Sequence, residues 1–176
     1  MEEAASVDPA ARVMGFEANG GFLLASTICE AGRELAPLPT RDVPLVHIAV
    51  LLAAKEAGQP ISELVSNLPP WFTAAGRLKN FAQELGRSKL AALAQGEKAE
   101  VLKHLQELFG HISGEPIAFD TTDGVRITFK NKEVIHLRAS GNAPEFRVYS
   151  EGASKERAQE IVDKALLIPE SWRQGE

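Results

Sequence analysis

The clearest pattern along this chain is an alternation. In "GVRITFK", residues 124–130, Val125, Ile127 and Phe129 alternate with Arg126, Thr128 and Lys130. Strand side chains point to opposite faces in turn, so this spacing predicts a strand with one buried face. Asn131-Lys132 then reads as a hairpin turn and "EVIHLR" (133–138) as the returning strand, with "PIAFD" (116–120) before and "EFRVYS" (145–150) after as further strands. Helical spacing flanks them. Helices are predicted from Phe81 to Leu93 and from Glu97 to Phe109; in the second, Val101, Leu102, Leu105, Leu108 and Phe109 form one stripe and Gly110 stops it. Ser154 caps a last helix that turns Ala158, Ile161, Val162, Ala165 and Leu166 inward. "WFTAAGRLKNF" (71–81) reads as an edge strand and turn. Helices, an antiparallel meander and a closing helix make an α+β domain over residues 71–176.

The preceding residues are patterned differently. A strand-like stretch from Ala11 to Phe16 passes through "EANGG" (17–21) and resumes as "FLLAS", and a polar loop ends in "LPTRD" (38–42). The next helix runs from Val43 to about Ala57, with Asp42 as N-cap, Pro44 in the first turn and Gly58 beyond the last. It is apolar on nearly every side and so belongs inside a larger packed body, yet only about forty residues precede it to build one. A short helix in "QPISELVSNLPP" ends at Pro69-Pro70, which breaks regular structure and sets a domain boundary near 67–71. The expected domains are 1–67 and 71–176.

Composition narrows the function classes. Apolar residues make up 44% and charged residues 24% of the 176, the profile of a soluble globular protein. A net charge of −5 argues against a nucleic-acid or anionic-membrane surface. The single Cys29 leaves no internal disulfide or multi-cysteine metal site, which points to a reducing cytoplasm. The longest apolar run, Leu45 to Ala54, is broken by His47 and is far shorter than the roughly 20 residues a bilayer requires, so it reads as a buried helix with the His47 ring satisfied inside it. His47, His104, His111 and His136 show no metal-ligand spacing, and Asp120 with Asp123-Gly124 reads as a plain turn. Trp71 beside Phe72 reads as core. No nucleophile–base pair is evident, so no catalytic or metal-ligating residue is assigned.

Two loops carry more polar groups than a turn needs. In 138–144, Arg138 offers a planar fork, Ser140 a hydroxyl, Asn142 an amide, and Gly141 lets backbone N–H groups come close. Ala139 and Ala143 are too small to block access, and Pro144 closes the loop without a donor. This set suits a dianionic phosphate monoester; it also suits a surface turn bonded to its own backbone. In "GFEANGGF" (15–22), Glu17 and Asn19 can address vicinal hydroxyls, or stand as solvated residues on a glycine hinge.

Together, "GFEANGGFLLAS", "LAPLPTRD" and "GVRITFKNKEVIHLRASGNAPEFRVY" resemble the C-terminal half of the α-D-phosphohexomutases, in the phosphomannomutase branch, from about Asp8 to about Ile168. The resemblance implies a four-domain enzyme that interconverts hexose 6-phosphate and 1-phosphate through a phosphoserine and a hexose 1,6-bisphosphate, with magnesium held by an acidic loop. It implies a TATA-box-binding-protein-like C-terminal domain, preceded here by the end of an α/β third domain. Glu17, Asn19, Gly20 and Gly21 fall in the sugar loop; Arg138, Ser140, Gly141 and Asn142 fall in the phosphate loop, with Arg147 near it. The sequence departs from the commonest motifs: Asn19 and Gly21 replace the Ser and His of E-x-S-G-H, and Ala139, Asn142 and Ala143 replace Pro, Thr and Glu of R-P-S-G-T-E-P. A donor persists at position 142, while mannose versus glucose preference is left open. Neither a T-A-S-H-N-P serine loop nor a D-G-D-G-D-R magnesium loop is present. The expected role is therefore phosphosugar binding in partnership with N-terminal domains of the same protein. The rival expectation is a non-catalytic phospholigand-binding or assembly module that keeps the fold.

Overall fold

In the computed structural model, which describes residues 11–16, 21–38 and 40–173, Met1–Leu68 and Pro69–Glu176 form separate units. In the first, β1 (Met14–Phe16) pairs antiparallel with β2 (Phe22–Leu24), and β3 (Ile28–Glu30) with β4 (Arg33–Leu35). The stretch that reads as a polar loop in the sequence thus contains a hairpin. Its turn is made by Ala31 and Gly32, both at positive φ (49° and 73°). Strands of three residues are too short to display an alternation.

Helix α1 spans Val43–Ala57. The Asp42 side chain accepts from the Leu45 N–H at 3.1 Å, and Gly58 ends the helix in the left-handed conformation, φ 64°. α2 (Ile61–Ser66) follows directly. Only Ala54 of α1 is buried; Ile48, Leu51 and Leu52 are about half exposed. His47 is exposed too, which corrects the expectation of a ring enclosed among apolar neighbours.

The second unit has two layers. β5 (Phe72–Lys79), β6 (Pro116–Asp120), β7 (Val125–Phe129), β8 (Val134–Ala139) and β9 (Glu145–Gly152) form an antiparallel sheet in the order β5-β9-β8-β7-β6. α3 (Gln83–Leu93), α4 (Lys98–Ser113) and α5 (Lys155–Trp172) cover one face. Val125, Ile127, Phe129, Ile135, Leu137, Phe146 and Val148 point into that interface and meet Leu90, Leu105, Phe109 and Ile161. The other face keeps Arg126, Arg138, Arg147 and Tyr149 partly exposed. Gly76 on β5 allows α5 to approach: a Cβ there would lie 2.6 Å from Val162 and 2.7 Å from Leu166.

Two sequence expectations fail in this unit. α4 runs through Gly110 to Ser113, because Ile112 still has core to bury and Gly114 (φ 86°) supplies the later stop. Trp71 lies just before the edge strand and is 36% exposed, so it is not a core residue. A polar lock ties three elements together. Arg157 donates from Nε and Nη2 to the buried Glu133 (2.7 and 2.8 Å) and from Nη2 to the Ile112 carbonyl (2.6 Å), joining α5, the β7–β8 turn and the end of α4. Burial is the largest single influence and works to raise the Glu133 pKa, but hydrogen bonding by Arg157, Ser113 and Asn131 together with the Arg157 charge outweighs it and holds the carboxyl below its ordinary value.

Candidate functional site

The loop between β8 and β9 spends its backbone groups unevenly. The Ser140 N–H donates to the Glu145 carbonyl (2.9 Å), closing the hairpin, and Ser140 is buried. The Ala143 carbonyl accepts from the Glu145 N–H (2.7 Å) and from Gln83 Nε2 (3.1 Å), and the Pro144 carbonyl from the Phe81 N–H (2.9 Å). Acceptors on the far side of the loop are thus consumed by the start of α3. Among the described residues, the N–H groups of Gly141, Asn142 and Ala143 meet no acceptor. Gly141 and Asn142 are exposed, so the rim of the loop is a run of unpaired donors within reach of solvent.

Two small residues acquire separate reasons. Gly141 has no left-handed φ, and a Cβ added there would meet nothing within 4 Å. The fold makes no demand for glycine at this position. Ala139 does serve the fold: it faces Gly86 of α3, where a Cβ would come within 3.2 Å of the Ala139 methyl. Its size is set by helix packing as well as by access to the loop.

Strand register adds a row of cations. Arg138 on β8 is opposite Arg147 on β9, which is opposite Arg77 on β5. Like charges directly across strands repel, and nearby carboxylates offset this. Glu145 pairs with Arg77 (3.0 Å) and Arg147 (3.4 Å), while Asp123 pairs with Arg138 through Nε (3.0 Å). The Tyr149 oxygen first, and Glu145 after it, push the Arg147 pKa further up, so it is a permanent cation. Sequence reasoning misses Arg77, since only the β5–β9 register reveals it as a neighbour. Beside the loop lies a pocket of about 320 Å³ with Arg87, Thr121, Asp123 and Arg138 on its polar side and Leu90 and Val125 on its apolar side.

The remaining site residues are less informative. Glu17, Asn19 and Gly20 lie outside the described residues; Gly21, just before β2, is buried. Among the described residues no three His, Cys, Asp or Glu side chains could hold a metal ion, and no helix is long and apolar enough to cross a membrane. Cys29 is a free, exposed thiol.

Comparison with known proteins gives this loop a context. Residues 85–168 match the family model described as phosphoglucomutase/phosphomannomutase, C-terminal domain. A phosphomannomutase of Salmonella muenchen is 42% identical over 154 residues, covering 88% of this chain and 31% of its own length. A phosphomannomutase of Sinorhizobium fredii is 38% identical over 89% of this chain and 32% of its own length. A phosphopentomutase of Thermococcus kodakarensis is 27% identical over 69% of this chain and 24% of its own length. The chain thus spans about a third of the length of the phosphomannomutases it matches.

Proposed function

The chain carries a C-terminal domain of the phosphoglucomutase/phosphomannomutase family, and from that premise we propose that its β8–β9 loop holds the non-reacting phosphate of a hexose phosphate. The carrying observation is the set of N–H groups at Gly141, Asn142 and Ala143 that no protein acceptor takes up, in the loop that follows Arg138 at the end of β8. A phosphate dianion accepts such bonds along several edges, and charge-assisted bonds are worth roughly 1.5–3 kcal/mol each before ordering costs. Ser140 and the Asn142 amide complete the donor set, and Arg147 adds positive potential from the neighbouring strand.

In this reading the chain is the C-terminal portion of a phosphomannomutase that interconverts mannose 6-phosphate and mannose 1-phosphate. Residues 1–67 are the end of its third domain, and Glu17, Asn19, Gly20 and Gly21 address the sugar ring. The exposed apolar sides of α1 are then covered by the remainder of that domain. Phosphoserine, magnesium and the hexose 1,6-bisphosphate intermediate belong to the longer protein, and these 176 residues position substrate without performing the transfer. Similarity to a phosphomannomutase and to a phosphopentomutase alike supports the phosphate as the shared element, with sugar preference decided elsewhere.

The test is an NMR titration with mannose 1-phosphate and with plain mannose. Amide shifts at Ser140 to Asn142 are expected with the former only and should be largely lost in Arg138→Ala. Equal shifts with both sugars would refute the assignment.

A further inference from the structure

The turn between β6 and β7 is far more constrained than a connection requires. Asp120 Oδ1 accepts from the Thr122 N–H (3.0 Å) and Oδ2 from the Thr122 hydroxyl (3.2 Å). Gly124, at φ 85°, is pressed so closely on the Leu137 carbonyl that a Cβ would not fit. The Asp123 carbonyl lies 2.5 Å from Nε2 of His136 on β8. The first closes the turn on itself and the other two fix it to β8, next to one side chain. That side chain, the Asp123 carboxylate, is delivered to Arg138 Nε at 3.0 Å.

Resting on the phosphate reading above, we propose that Asp123 is a positioning residue for Arg138: it grips Nε and aims the two Nη groups at the ligand phosphate. A guanidinium donates along separate edges, and its end-on Nη pair matches two phosphate oxygens bidentately. Asp123 occupies the Nε position and leaves both Nη groups for the anion. Without a partner the long arginine stem samples many rotamers, and all but one must be given up on binding. The pair is half exposed, with Arg138 at 36% and Asp123 at 59% of side-chain area. Such pairs add little to fold stability, so the effort invested in the turn is explained by orientation. Arg87 and Thr121 share the pocket with this pair, yet Arg87 pairs with Glu84 of its own helix, leaving Asp123 as the group that governs Arg138.

The experiment compares the chain with Asp123→Ala, Asp123→Asn and Arg138→Ala variants, titrated with mannose 1-phosphate and with inorganic phosphate. Melting temperatures of the Asp123 variants should match the parent. Asp123→Ala should weaken phosphate binding about fivefold, the scale of reordering one long side chain, and Asp123→Asn by less, because its amide oxygen can still lie against Nε while the charge is lost. The Arg138 Nε–Hε resonance should be sharp and dispersed in the parent and collapse toward the solvent-exposed arginines in Asp123→Ala, a signature that a merely structural turn would not give. Unchanged affinity in both Asp123 variants would overturn the proposal, and tighter binding would overturn it by showing Asp123 to be a competitor for the guanidinium. If Arg138→Ala loses binding while Asp123→Ala does not, only this inference falls. If the parent shows no phosphate-dependent shifts at residues 140–142, the phosphate reading falls with it.

Discussion

α1, apolar nearly all round, and α4, with a single apolar stripe, both carry residues that need cover, and they end up in opposite surroundings. α1 leaves Ile48, Leu51 and Leu52 about half exposed, whereas α4 places Val101, Leu105 and Phe109 at 1% exposure or less. Both helices carry N-terminal caps: Asp42 on one, and the reciprocal Glu97–Glu100 capping box on the other. Caps and periodicity are thus enough to write a helix, and they do not provide the apolar partner that stabilises it. The five-stranded sheet provides that partner for α4. Among the described residues of the first unit, two hairpins of three-residue strands do not.

The contrast is most severely tested by removing core volume. Phe109→Ala should cost the second unit about 4 kcal/mol, seen as a large fall in its urea midpoint. An unchanged midpoint would mean that the sheet interface is not the main source of stability. Next is Arg157→Ala, which leaves Glu133 buried without its partner and should cost about 3 kcal/mol; the same measurement checks it. A smaller change follows from acid. Because the folded Glu133 carboxyl lies below its ordinary value of 4.5, the stability it contributes is present above that pH and is lost as pH falls below it. A stability profile from about pH 6 to about pH 3 should therefore drop, and drop less steeply in Arg157→Ala. The smallest effect belongs to α1. Leu52→Ser should change the unfolding of the second unit by under about 0.5 kcal/mol while reducing binding of a hydrophobic dye to the chain.

Much of the second unit is legible in local sequence pattern alone. The Val125–Ile127–Phe129 alternation, the Ser154 cap and the apolar stripe of the last helix all follow from local periodicity, and each is found in place. The misses share one cause, dependence on groups distant in sequence. Gly110 reads as a stop until Ile112 is seen to have core ahead of it. The Asp123 turn reads as plain until β8 brings Arg138 and His136 alongside. The donors of 138–142 are legible as residue types. Their being left unpaired is not, because Gln83 and Phe81, which take up the loop's carbonyls, come from some sixty residues earlier. Arg77 stays hidden for the same reason, as a neighbour only by strand register.

The open space around Gly141 has a consequence for how this loop can change over generations. Since the backbone there needs no special conformation and a methyl group would touch nothing, a small side chain at 141 is expected to leave folding unchanged. Its effect can be judged only by what the loop meets from outside. Such a position has room to drift toward a different ligand without a conflict with the fold at its first side-chain atom. A saturation library at 141 would therefore separate selection for activity from selection for foldedness, which a library at Ala139, wedged against Gly86, would confound.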